Sequence, residues 1–330
     1  MKRGRGWPIA AVCGVLLVAL GVLLIAVVPY RPVRVEGPRI EPRPLELPEP
    51  LAGLRLHVFN TGANRMSSLL VGPDPPWRAV PAFLIEVPGH GLVAFDLGLS
   101  HEVAESGEEA IAPPVGWLME SRGRPGLTLE FQMKEDGLSP EAVQTVILSH
   151  LHGDHTGVAS AFAHASFIAG PGTRSRFLDV PDAPFGAAPA PAWQEFGVGE
   201  EDRAPSTRLG PFEAVVDLFG DGSIHLIAAG GHTDEDIMAL VNLPQGPVLL
   251  TGDAVVHFDW LASDDVERIA SDPERAATIR NQVRSLAAAG EVLILPGHDL
   301  RRLRETRPRS DLVLHHPERF EPSFWPIDRD

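Results

Sequence analysis

The sequence predicts an α/β layered domain preceded by one membrane-spanning helix, and three observations predict it. Short apolar runs alternate with turn signals from about Leu51 onward, a helix-rich stretch separates the last two runs, and residues 7–28 form one uncharged apolar block. With 330 residues, of which 44% are hydrophobic, the chain has material for a sizeable core. Its net charge of −16 argues against a nucleic-acid partner, which would call for a basic face, and favours a small-molecule substrate.

Taken in order, residues 1–6 are a short basic N-terminus with Lys2, Arg3 and Arg5. Residues 7–28 (WPIAAVCGVLLVALGVLLIAVV) carry no charge and are long enough to span a membrane as a helix, which Pro29 ends. No persuasive small-x-small cleavage site precedes Tyr30, so the expectation is a single-pass anchor rather than a cleaved signal. The basic residues before it place the N-terminus inside and the catalytic domain on the periplasmic or extracellular side, although Arg31, Arg34, Arg39 and Arg43 reduce the asymmetry. Cys13, the only cysteine, lies in the apolar run, where most of the stretch follows it. It reads as a membrane-buried thiol rather than a lipidation site, and no disulfide can form. Residues 29–50 are rich in proline and predict an extended stalk.

The domain is expected over 51–316, followed by a tail over 317–330. Its first strands are 54–62, 82–87 and 92–98, the last two joined by a turn at Pro88, Gly89, His90 and Gly91. Ser139 and Pro140 predict the start of a short helix before the β-branched run TVILSH, which ends on the histidines. Later strands are 223–232, 237–243, 247–253 and 291–298, and three of the four end on a metal-type residue: His232, Asp253 or His298. Residues 262–289 predict one or two helices, punctuated only by Pro273. The prolines of 181–192 predict a long loop, read either as a wall of the substrate site or as passive surface.

The strongest chemical signal is His150-Leu151-His152-Gly153-Asp154-His155. In extended chain, residues two apart point to the same side, so His150 and His152 converge; a turn at Gly153 then redirects Asp154 and His155 toward a second point. Imidazoles and carboxylates suit zinc or iron, and no thiolate is available in the domain. An isolated histidine is more often a surface or hydrogen-bonded residue, and His57, His90, His101, His164, His225, His257, His315 and His316 are read so. That explanation fails for the whole cluster, because grouping so many polar residues without a cation brings desolvation and repulsion.

With Gly231-His232-Thr233, Thr251-Gly252-Asp253 and Pro296-Gly297-His298-Asp299 in order after it, the cluster resembles the metallo-β-lactamase superfamily over roughly residues 52–300. The resemblance implies a four-layer αββα sandwich with the site at one edge. It also implies that His150, His152 and His232 hold one metal, that Asp154, His155 and His298 hold the other, and that Asp253 bridges both. Two divalent ions, zinc above all, would then generate a bridging hydroxide near neutral pH and polarise a carbonyl. For an ester or lactone, the remaining task is to stabilise and protonate the leaving alkoxide, which falls to a metal ion or to the carboxyl of Asp154 or Asp253.

The wording Ser-His-Leu-His-x-Asp-His at 149–155, Asp-x-Gly at 96–98 and Gly-His-Asp at 297–299 is most similar to the N-acyl homoserine lactonases. Those enzymes commonly carry a tyrosine near the substrate carbonyl, whereas the only tyrosine here, Tyr30, lies beside the apolar run. Glyoxalase-type thioesterases and phosphodiesterases share the ligand set; a persulfide dioxygenase with a single iron is the alternative from another class. Phe83, Trp117, Phe131, Phe162, Trp193, Phe196, Phe258 and Trp260 are candidates for an acyl pocket, each more often a core residue.

Overall fold

The computed structural model describes residues 33–71, 76–180, 184–185, 189–196, 207–304 and 306–325. A two-residue ladder pairs β1 (Val33–Arg34) with β14 (Asp265–Val266). The first main sheet contains β2 (Arg55–Met66), β3 (Arg78–Val87), β4 (Gly91–Phe95), β5 (Met119–Arg122), β6 (Val143–Ile147), β7 (Ser166–Ala169), β8 (Trp193–Glu195) and β16 (Leu312–Leu314). Its order is β16-β2-β3-β4-β6-β7-β8, with β5 added on β2. The second sheet contains β9 (Thr207–Leu209), β10 (Phe212–Asp217), β11 (Ile224–Ala228), β12 (Ile237–Val241), β13 (Val248–Leu250) and β15 (Leu293–Leu295), in the order β15-β13-β12-β11-β10-β9.

Three apolar clusters fix the layering. Between the sheets, Leu56, Val58, Phe83, Ile85, Val93 and Phe95 of the first meet Leu226, Ala239, Val241, Leu250 and Leu295 of the second. On the outer face of the first sheet, Leu84, Ala94 and Val146 pack with Leu129, Met133 and Phe162. On the outer face of the second, Met238, Leu240 and Leu249 pack with Ile279, Val283 and Leu286 of the helix Pro273–Ala289. Strands covered on both faces read as continuous apolar runs rather than alternating ones, which is why 82–87 and 237–243 look so uniform in sequence. The result is the expected four-layer αββα sandwich.

Local chemistry sets the element ends. The Pro273–Ala289 helix starts where Asp272 accepts a hydrogen bond from the Arg275 N–H, has Pro273 in its first turn and stops at Gly290 with φ +75°. Pro273 therefore opens this helix instead of interrupting a longer one, and residues 262–272 hold a loop with β14. Ser139 and Pro140 give only the 3-10 turn Pro140–Ala142, because Val143 already pairs with Leu92 in the parallel ladder.

The expected membrane helix over 7–28 is corrected: among the described residues no helix is long and apolar enough to cross a membrane. The longest described helix, Pro273–Ala289, has 17 residues and carries Glu274, Arg275, Arg280 and Arg284, against about 20 apolar residues for a span. Neither a transmembrane element, nor a membrane partner, nor a single-pass protein with an extracytoplasmic domain is supported; residues 7–28 themselves lie outside the described residues. The described part of the proline-rich segment, 33–50, is extended and lies against the domain. Arg280 and Asn281 bond the carbonyls of Val35 and Glu36, and Leu45 and Leu47 pack on the core below the second sheet. At the other end, Trp325 is fully buried and its indole N–H donates to the Arg319 carbonyl.

Candidate functional site

Strands β4, β6 and β7 run parallel, as do β13 and β15, so their C-terminal ends lie together along one edge of the sandwich. Asp96 follows β4, His150 follows β6, Asp253 follows β13 and His298 follows β15, while His232 follows β11. The helical turn Gly153–Thr156, for which His152 is the N-cap, redirects the chain as the sequence requires and turns Asp154 and His155 away from His150 and His152. Gly297 is obligatory at the last strand end, since a Cβ there would collide with Asp253 Oδ1 and the Gly252 carbonyl.

Donor atoms of His150, His152, His232 and Asp253 lie within 4.8 Å of one another, and so do those of Asp154, His155 and His298. Asp253 stands between the two sets. Its Oδ2 is 3.6 Å from His232 Nε2, whereas its Oδ1 is 3.5 Å from His155 Nε2 and 3.3 Å from His298 Nε2. Every residue predicted for the site is thus brought together. The background histidines form no such group among the described residues; His57 and His315, for example, bond each other at 2.9 Å near the start of β2.

The donors fit cations. His152 Nδ1 lies 2.8 Å from His150 Nε2 and 3.1 Å from His232 Nε2. One ring nitrogen carries either one proton or one lone pair, so it cannot satisfy both contacts. In addition, His155 Nε2 and Asp253 Oδ1 are buried without a hydrogen-bond partner among the described residues, a costly arrangement that positive charge between them would relieve. Two donor sets sharing a carboxylate fit two divalent metal ions.

Residues outside the ligand motif hold this arrangement. Asp96 accepts from the Ser149 N–H at 2.7 Å, from Ser149 Oγ at 2.8 Å and from His155 Nδ1 at 2.8 Å. The Ala79 carbonyl accepts from His298 Nδ1 at 2.7 Å. Asn64, on β2, donates to Asp154 Oδ2 at 2.8 Å and is itself fixed by Ser121 Oγ. Glu267 takes His232 Nδ1 at 2.6 Å. Of these, only Asp96 had a signal in sequence, its place at a strand end; Asn64, Ala79 and Glu267 had none.

Burial depresses the His150 and His152 imidazoles, helped by neighbouring imidazoles, so both present lone pairs. Burial also acts against His155 and His232, but carboxylates outweigh it: Asp96, Asp253 and Asp154 hold His155 at about 10, and Glu267 with Asp253 holds His232 at about 9. Asp253 is buried too, yet His298 and His155 hold its carboxyl well below the usual range. His298 is raised as well, Asp253 outweighing its burial, and these raised histidines favour the cationic form at neutral pH in the metal-free protein and would lose a proton to ligate a metal. Metal uptake at pH 7 is therefore expected to release protons, with apparent affinity rising as pH approaches 9. The linkage has a definite sign. His232 and His155 stabilise the metal-free fold fully below their ordinary value of 6.5, and that stabilisation is lost as pH rises through about 9 and 10. Calorimetry in buffers of different ionisation enthalpy measures the released protons; an affinity that is flat from pH 6 to 9 would contradict this account.

A cavity of about 760 Å³ opens onto His152, Asp154, His232, Asp253 and His298. Its wall is mainly aliphatic, including Leu70, Val71, Leu99, Val103, Ile111, Leu118 and Val180. None of the aromatics considered for an acyl pocket lines it. Phe83, Phe162, Phe196 and Phe258 are core, and Trp117 is 78% exposed. Phe177 and Pro184 do line it, so the 181–192 loop reaches the wall of the site at Pro184.

Comparison with known proteins agrees with this geometry. The metallo-beta-lactamase superfamily model matches residues 75–298. An N-acyl homoserine lactonase AttM of Azorhizobium caulinodans is 30% identical over 233 residues, covering 67% of this chain and 81% of that protein. The AttM of Rhizobium radiobacter is 29% identical over 230 residues, again covering 67% of this chain and 81% of that protein. A solved N-acyl homoserine lactone hydrolase, with N-hexanoyl-L-homoserine bound at its catalytic metal centre, superposes with a TM-score of 0.60 at 17% identity, covering 82% of this chain and 98% of that one, a likeness of fold. The chain belongs to the metallo-β-lactamase superfamily, as one of its metal-dependent hydrolases.

Proposed function

We propose that this hydrolase opens lactones bearing a long apolar acyl chain, and the observation that carries the reading is the aliphatic 760 Å³ cavity ending on the two donor sets. The lactonase relatives support the choice of lactone over thioester or phosphodiester. In this reading His150, His152 and His232 hold one ion, Asp154, His155 and His298 the other, and Asp253 serves both. Zinc is the metal we assign, since it accepts imidazole and carboxylate together. When bound, the ions supply an activated water near neutral pH and polarise the substrate carbonyl.

The chain's own residues do the remaining work. The water oxygen adds to the lactone carbonyl carbon, the ring C–O bond breaks, and the water's proton ends on the departing alkoxide. Asp154 faces the cavity with Oδ2 held by Asn64, and we assign it the transfer of that proton, with Asp253 holding its donors together. Aliphatic walls exclude competing water and align the acyl chain. Arg78 also lines the cavity, and its guanidinium makes no hydrogen bond or ion pair with the described residues. With Arg176 and Arg268 on the same wall, it is a cationic donor for the carboxylate of the opened product, in a chain whose only tyrosine lies outside the described residues.

The test is a series of homoserine lactones from butanoyl to octanoyl. At about 0.8 kcal/mol per buried methylene, kcat/KM is expected to rise by about a hundredfold along it. Equal rates for all chain lengths would remove the acyl assignment, and no lactone turnover by a protein with two bound metals would transfer the reading to thioesters.

A further inference from the structure

Glu267 belongs to no ligand motif, yet it reaches the metal centre. It follows β14, in a segment fastened over the site by backbone and buried side-chain bonds. Arg280, itself buried, donates to the Asp265 carbonyl at 3.1 Å. The Ser271 N–H donates to the His232 carbonyl at 3.1 Å, and the Asp272 N–H to that of Gly231 at 3.0 Å. From this segment the Glu267 carboxylate, only 8% exposed, meets His232 Nδ1 at 2.6 Å. The other ring nitrogen, Nε2, points to His152 and Asp253. A carboxylate that accepts the Nδ1 proton fixes the tautomer in which Nε2 offers its lone pair, sets the ring orientation and raises the basicity of the ligating nitrogen.

The two donor sets differ here. In the second set, His155 is held by Asp96 and His298 by the Ala79 carbonyl. In the first, among the described residues, His150 Nδ1 meets the Ser149 hydroxyl at 3.1 Å, and Glu267 is the carboxylate bonded to the outer nitrogen of a histidine of that set.

We propose that Glu267 is the positioning residue of the first metal site, acting through His232 and leaving the second site's affinity unchanged. The proposal rests on the two-metal reading of the centre and not on the identity of the substrate. Glu267 also lines the large cavity and a small one of about 20 Å³ beside His232 and Asp253. A substitution there therefore reaches substrate as well, and metal binding is the readout that separates the two effects.

The experiment titrates the metal-free full chain with Co²⁺, followed by its ligand-field absorption, and with Zn²⁺ in competition with a chelating dye. Parent, Glu267→Gln and Glu267→Asp are compared, and the fold of each metal-free protein is checked by circular dichroism. Glu267→Gln is expected to weaken one of the two binding steps by about tenfold to a hundredfold and leave the other in place. Glu267→Asp, which keeps the carboxylate, is expected to recover part of the loss. Equal weakening of both steps, no weakening of either, or unfolding of the metal-free variants under conditions where the parent is folded would each overturn the proposal. A parent that binds two ions but opens no lactone would leave it standing while removing the lactonase reading.

Discussion

Asp253→Ala is expected to lower kcat/KM by about a thousandfold or more and to reduce the bound metal from two ions per chain. Among the described residues the carboxylate turns one oxygen to each donor set, with Oδ2 toward His232 and Oδ1 toward His155 and His298. Its removal takes negative charge from between three imidazoles in a buried site, where such charge counts far more than in water. Metal affinity and the electrostatic environment of the reacting carbonyl fall together, so the loss exceeds that of a single positioning bond. Asp253→Asn keeps the shape and removes the charge, and is expected to retain more metal than the alanine variant. Metal analysis and lactone kinetics on the same samples check both statements. Retention of two ions with parental turnover in Asp253→Ala would remove the shared-carboxylate role.

Asp96→Ala is expected to have the largest effect on stability, about 3–5 kcal/mol. Asp96 is almost wholly buried and accepts from the Ser149 N–H, the Ser149 hydroxyl and His155 Nδ1. All three buried donors lose this carboxylate at once, leaving the Ser149 hydroxyl only its longer contacts to His150 Nδ1 and His155 Nδ1 at 3.1 and 3.4 Å. The backbone adds to the cost, since Asp96 sits at φ +57°, a conformation that aspartate tolerates better than alanine. For a domain of this size the change corresponds to a melting temperature lower by about 10 °C. Thermal and urea unfolding of the metal-free protein measure it without interference from metal binding; a change below about 1 kcal/mol would mean that the loop from Ser149 to His155 is held by something else.

The sequence alone determined which residues gather into the two donor sets, because their placement follows from local rules. Alternate residues of an extended chain share a side, which pairs His150 with His152, and one helical turn at Gly153 swings Asp154 and His155 to a second point. The strand-end positions of His232, Asp253 and His298 were legible for the same reason, as apolar runs that stop on a polar residue. Only the tertiary structure decided what surrounds them. Asn64 meets Asp154 across 90 residues and Glu267 meets His232 across 35, contacts that depend on how sheets and loops come together and leave no periodic trace. The cavity shows the same division. Bulky aromatics were natural candidates for its wall, yet Phe83, Phe162, Phe196 and Phe258 are buried in the core, where burial of large apolar surface stabilises the fold most. The wall was left to aliphatic side chains of several separate segments, and periodicity within one element carries no information about which loops will face one another once the sandwich closes.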